Sequence, residues 1–264
     1  MNRLENVFKN GKAFIPFIAC GYPDIQTSEK LVASMAESGA DLIELGIPFS
    51  DPTAEGEVIA HASQVALQNA TTTDSVFEMI TRVRKNESEK VRNVALAIMT
   101  YANIVYAYGV CNFLRKAQEL GICALILPDV PFEEKDEFAL ECQKFGVELI
   151  AFIAPTSQKR IEQIVKEARG FVYCVSSFGV TGVRESITTD IKKLIDSIKQ
   201  VKDIPVAVGF GIQSSAQAQQ IASYADGVIV GSAIVKLCVQ YGADSPQYVA
   251  QYVKDIKSAI TKYN

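Results

Sequence analysis

Short apolar runs alternate with amphipathic stretches from one end of the chain to the other. The runs 13–19, 42–47, 93–99, 124–127, 148–153, 171–175, 205–208 and 227–230 each read as a strand, nearly continuous in apolar residues. Between them the spacing becomes helical. Leu31, Val32, Met35 and Ala36 share one face, as do Ile161, Ile164, Val165 and Ala168, and then Ile191, Leu194, Ile195 and Ile198. Gly39, Gly121, Gly146 and Gly170 fall between a helical stretch and the next strand, where glycine commonly ends a helix. Strands apolar on both faces and alternating with helices predict a parallel sheet covered on both sides.

Eight such units in 264 residues predict a closed (β/α)8 TIM barrel of class α/β, a fold that takes about 250 residues. An open doubly wound sheet is the runner-up. Its dinucleotide fingerprint is missing, because Cys20-Gly21-Tyr22-Pro23 stands after the first strand instead of G-x-G-x-x-G. Residues 1–264 contain no low-complexity tract or linker and read as one domain, with extra helices before Ala13 and after about Gly242.

Composition narrows the chemistry. The chain is 48% hydrophobic and 21% charged, with a net charge of −4, which gives no electrostatic case for nucleic acid or an anionic membrane. No apolar stretch is long enough to span a bilayer, and Met1-Asn2-Arg3-Leu4-Glu5 has no signal core. Six cysteines without a C-x-x-C pair read as buried free thiols of a cytoplasmic protein. A single histidine, His61, excludes a His-cluster metal site and reads as a surface residue. Carboxylates, tyrosines or lysines must therefore carry any acid–base work.

In such a barrel the active site lies at the carboxyl ends of the strands. Glu44 interrupts the apolar run of the second strand and shares its parity with Leu42 and Gly46. It is either a desolvated acid facing the barrel interior or a glutamate paired with a base under a helix. After the seventh and eighth strands, Gly209-Phe210-Gly211 and Gly231-Ser232 form small-residue turns into helices, the pattern of a phosphate site. The segment 173–186, with Thr181 between Gly179 and Gly182, reads as a lid over a bound ligand. Arg82–Lys85 and Lys90–Arg92 read as solvated charge, and Tyr248, Tyr252 and Tyr263 as packing residues.

"ELGIPFSDP" at 44–52, "YAN" at 101–103, "PDVPFEE" at 128–134, "FGVTG" at 178–182, "GFGI" at 209–212 and "DGVIVGSAIV" at 226–235 stand in the order seen in tryptophan synthase α subunits. The chain resembles that family over nearly its whole length. The resemblance implies cleavage of indole-3-glycerol phosphate to indole and glyceraldehyde 3-phosphate in L-tryptophan biosynthesis. It implies an α2β2 complex in which indole passes to a β subunit. No cofactor or metal is implied in this chain, and pyridoxal phosphate is expected only in the partner.

Residue by residue, Glu44 matches the family's catalytic acid–base and Tyr173 the tyrosine near the reacting carbons. Phe17 and Tyr101 match residues lining the indole pocket, and Thr181 the lid threonine. Gly182, Gly211, Gly231 and Ser232 match phosphate-binding positions. Asp51, Pro52 and Asn103 fall where the family meets its β subunit. The family motif continues after "SDP" as L-A-D-G-P, whereas this chain reads Thr53-Ala54-Glu55-Gly56-Glu57. Glu55 thus replaces the aspartate that faces the indole nitrogen and is one methylene longer. Either the loop backbone is set back to compensate, or the isolated subunit is slow and depends on its partner to place the loop. An alternative reading makes the chain a binding and activating subunit with weak catalysis of its own. A different barrel enzyme acting on a phosphorylated substrate is the other rival.

Overall fold

The computed structural model of the chain describes residues 3–175, 188–209 and 211–261. Its strands are β1 (Ala13–Ala19), β2 (Leu42–Gly46), β3 (Ala95–Met99), β4 (Ala124–Ile126), β5 (Glu148–Leu149), β6 (Ala151–Ile153), β7 (Val172–Val175), β8 (Val206–Gly209) and β9 (Gly227–Val230). All pair in parallel, in the order β5-β4-β3-β2-β1-β9-β8-β7-β6. The two ends of that order, β5 and β6, are neighbours in sequence, separated by Ile150 alone. The predicted run 148–153 therefore pairs with β4 through its first half and with β7 through its second, and so closes the sheet into a barrel. The predicted run 93–99 is shorter than expected, because Asn93 ends a short helix, Glu89–Asn93.

Strand parity divides the apolar residues into two cores. Ala13, Ile15, Phe17, Leu42, Ala95, Ala97, Ala124, Ile126, Phe171, Tyr173, Ala207 and Ile229 fill the interior of the barrel. Their neighbours, such as Phe14, Ile43, Leu96, Leu125, Val172, Val206 and Val228, face outward and pack under the helices. Each strand is buried on both sides, hence its near-continuous apolar sequence. The predicted helical faces are the buried ones. Leu31, Val32, Met35 and Ala36 lie under helix Ile25–Glu37, and Ile161, Ile164 and Val165 under helix Ile161–Glu167. Ile191, Leu194, Ile195 and Ile198 are likewise buried in helix Thr188–Val201.

The added helices have defined places. Helix Arg3–Val7 seals the amino-terminal end of the barrel: Leu4 is buried, Phe8 packs on Phe171 at 5.5 Å between ring centroids, and Arg3 donates to the Gly121 carbonyl. Helix Ser245–Thr261 packs against Ile25–Glu37 and is tied to the sheet by Lys257, whose Nζ lies 2.6 Å from Asp41 Oδ2.

Some surface expectations need correction. Arg84 is not a solvated charge: its guanidinium donates to the carbonyls of Leu120, Arg92, Val94 and Gly121, and burial with nearby Arg3 lowers its pKa to about 10. Cys111 is exposed and within 3.5 Å of Glu141, whereas the other five thiols are buried. Tyr248 is 41% exposed and stacks on Tyr241; Tyr263 lies outside the described residues. His61 is exposed, as read from the sequence. Among the described residues no helix is long and apolar enough to cross a membrane, and no three His, Cys, Asp or Glu side chains gather as metal ligands.

Candidate active site

A cavity of about 380 Å³ opens at the carboxyl ends of the strands. Glu44 forms part of its floor. β2 carries it inward, with Phe17 of β1 and Ala97 of β3 as its partners in register. It is 1% exposed, and neither carboxylate oxygen has a hydrogen-bond partner among the described residues. Of the two readings left open by its parity, the desolvated interior acid is the one the fold adopts. Burial pushes its pKa up to about 8, so the group is a neutral acid at pH 7. An unpartnered buried carboxyl destabilises the fold, which makes it a candidate for function rather than packing.

Tyr173 enters the cavity from β7, 4% exposed and stacked on Phe152 at 4.9 Å. Burial, and then the charge of Glu44, hold its phenol well above the usual tyrosine range, so it stays protonated. Two glycines make room for the inward rings. A Cβ at Gly209 would lie 2.6 Å from the Tyr173 hydroxyl, and one at Gly46 would lie 2.6 Å from Cζ of Phe17. Strand glycine here marks close approach of a side chain, not a bend.

The loop after β2 brings Glu55 to the cavity wall. The Tyr101 hydroxyl donates to its carboxylate and accepts from the Ala54 N–H at 3.0 Å, while Phe49 stacks on the Tyr101 ring at 4.8 Å. Burial raises the Glu55 pKa, opposed by the Tyr101 hydrogen bond and raised further by Asp129. Tyr101 is 2% exposed and stands behind Glu55, holding that carboxylate.

Gly211, Gly231 and Ser232, from the turns after β8 and β9, also line the cavity. The two predicted anion turns differ. Helix Ser215–Ala222 is already capped: Gln217 Oε1 accepts from the N–H groups of Gln213 and Ser214, and Ser214 Oγ from that of Gln217. Helix Ser232–Tyr241 begins at Gly231 with no side-chain cap, which leaves its first N–H groups for a ligand. Thr181 and Gly182 lie outside the described residues, as does Phe210. Asp51 and Asn103 are exposed and Pro52 is half-buried, in the segments that follow β2 and β3. Sequence reading missed Met99, Ile229, Ile59, Glu57, Gln213 and Lys236, all of which line the cavity. Met99 and Ile229 share the inward parity of their strands, and Lys236 stands one helical turn after Ser232, so local periodicity held a signal for each.

A parallel barrel with a neutral acid on the cavity floor, a second carboxylate on the wall and an uncapped helix terminus lining the same cavity defines an acid–base enzyme for a small anionic substrate. The chain belongs to the tryptophan synthase alpha chain family, whose model matches residues 4–262. It is 43% identical over 260 residues to the tryptophan synthase alpha chain of Lacticaseibacillus casei, covering 98% of this chain and 96% of that one. Over 238 residues it is 45% identical to the alpha chain of Lactiplantibacillus plantarum, with 90% and 88% covered. Among solved structures it is similar to tryptophan synthase of Mycobacterium tuberculosis, with a TM-score of 0.87, 34% identity and 98% of both chains covered. The alpha chain from Legionella pneumophila gives a TM-score of 0.87 at 32% identity, with 99% of this chain and 98% of that chain covered.

Proposed function

We propose that Glu44, Glu55 and Tyr173 carry out the retro-aldol cleavage of indole-3-glycerol phosphate in this chain. As a member of its family the chain is a carbon–carbon lyase of tryptophan biosynthesis, releasing indole and glyceraldehyde 3-phosphate. It works with a β subunit in an α2β2 complex and passes indole to it. The α chain carries no cofactor, and pyridoxal phosphate belongs to the β subunit. The single observation behind the site assignment is Glu44: 1% exposed and without a hydrogen-bond partner among the described residues, on the floor of the cavity that Glu55 and Tyr173 share.

In this reading protonated Glu44 gives its proton to the ring carbon bearing the side chain. Glu55 holds the indole N–H and stabilises the positive charge that the ring then bears. The Glu44 carboxylate next takes the proton of the adjacent side-chain hydroxyl. The carbon–carbon bond breaks, its electrons restore the aromatic ring, the aldehyde forms, and Glu44 ends protonated as it began. Phe17 and Tyr173 enclose the ring and reacting carbons. Gly211, Gly231 and Ser232, with Gly182 of the lid, hold the phosphate, and Thr181 of the lid is the hydrogen-bond partner of the second acid, Glu55. Asp51, Pro52 and Asn103 meet the β subunit.

Tyr101 anchors Glu55 from within the chain, which supports catalysis by the α chain itself over a merely activating role. The same contact favours placement of the longer acid within the chain over placement by the partner. We read residues 1–264 as one domain, on the continuity of its sheet, and as cytoplasmic, on its six free thiols.

The test is indole release by the purified chain, with and without β subunit, beside Glu44→Gln. The substitution should lower kcat by about 10³-fold in both settings. Full activity in Glu44→Gln would overturn the assignment.

A further inference from the structure

Helix Ser232–Tyr241 brings more to the cavity than its amino terminus. Lys236 stands four residues after Ser232, a spacing that puts both on one helix face, and both line the cavity. Among the described lining residues Lys236 is the one cation, against the acids Glu44, Glu55 and Glu57. It is exposed at the rim, whereas Glu44 is buried on the floor. Outside the cavity it borders a groove shared with Glu57 and His61, yet no ion pair or hydrogen bond joins Lys236 to any described residue.

A phosphate dianion entering this cavity meets the carboxylates of Glu55 and Glu57. Helix N–H groups offer only a partial positive charge, equivalent to roughly half an elementary charge. A full cation on the same helix face balances the remainder and fixes which end of the substrate lies against that helix. We propose that Lys236 is a positioning residue for the phosphate end of the substrate, pairing its ammonium with the dianion bound at Gly231 and Ser232. The inference rests on the phosphate-binding side of the function proposed above. Because Lys236 lies at the rim, it acts on substrate capture and not on proton transfer at the reacting carbon.

Steady-state cleavage by the α2β2 complex and by the purified chain tests this, comparing wild type with Lys236→Gln and Lys236→Arg. Lys236→Gln should raise KM about tenfold, the scale of one charge-assisted contact, and leave kcat within about twofold. Lys236→Arg should restore most of the loss. Inhibition by inorganic phosphate should weaken in step with KM, while inhibition by indole stays unchanged. Added salt should narrow the gap between wild type and Lys236→Gln, because screening weakens an exposed charge pair. An unchanged KM and phosphate inhibition would overturn the proposal. So would an equal weakening of indole inhibition, which would mark a distorted cavity instead of a lost charge. Inactivity of the wild type would strike the proposed function, whereas equal calorimetric affinity of wild type and Lys236→Gln for glyceraldehyde 3-phosphate would strike the lysine alone.

Discussion

At the scale of single residues, Glu44 sets the behaviour of the site. Its folded pKa is about 8 against an ordinary value of 4.5, because burial disfavours the charged form. The folded state therefore keeps a proton that the unfolded chain loses between those values. Stability contributed by this group is complete below pH 4.5, declines as pH rises, and is gone above about pH 8. Wild type should thus lose stability relative to Glu44→Gln across that window, at about 1 kcal/mol per pH unit. Urea denaturation of both proteins at pH 5, 6, 7 and 8 checks the slope, and parallel curves would mean that Glu44 is ionised in the fold. Close packing surrounds the same carboxyl. Gly46 and Gly209 give up side chains so that Phe17 and Tyr173 can reach the space beside it.

At the scale of elements, the docking of the carboxyl-terminal helix depends on one polar clasp as well as its apolar face. Val249, Val253, Ile256 and Ile260 are buried, and Lys257 reaches past them to Asp41 Oδ2 at 2.6 Å and the Lys12 carbonyl at 3.0 Å. Asp41 also accepts the Phe14 N–H at 2.7 Å, so the clasp joins this helix to the starts of β1 and β2. Burial raises the Asp41 pKa and Lys257 lowers it. Lys257→Met should cost about 1–2 kcal/mol near neutral pH, since the pair is about one-quarter exposed and only partly desolvated. The deficit should shrink in acid, where a protonated Asp41 no longer needs the cation. Thermal unfolding of wild type and variant at pH 7 and pH 4 measures both effects, and an equal deficit at the two values would rule out the charge pair as its source.

At the scale of the whole molecule, closure of the barrel and its helical coat protect the thiols. Cys20, Cys123, Cys142, Cys174 and Cys238 are buried, and burial raises each thiol to about 11 or 12. Cys111 alone is exposed. A chromogenic disulfide reagent should therefore titrate one thiol rapidly in the native chain and all six after denaturation. Cys111→Ser should abolish the rapid phase. A second fast thiol in that variant would show that a buried face opens on its own.

The sequence by itself determined the order of strands and helices along the chain, the parity that Glu44 shares with Leu42 and Gly46, and the buried faces of three helices; which way that parity points was left to the fold. These follow from periods of two and 3.6 residues, which are local properties that no distant contact has to supply. Residues 148–153 were legible as one strand, but their division at Ile150 between two neighbours was not, because closure depends on pairing with strands far away in the chain. Tyr101 behind Glu55 and Arg84 among four carbonyls were decided the same way, by loops and helix ends that meet only when the barrel is formed. Lys236 could be placed on the face of Ser232 by counting, yet only the folded barrel turns that face toward the cavity. A side chain's periodicity gives its direction within an element; what stands opposite is fixed by tertiary packing.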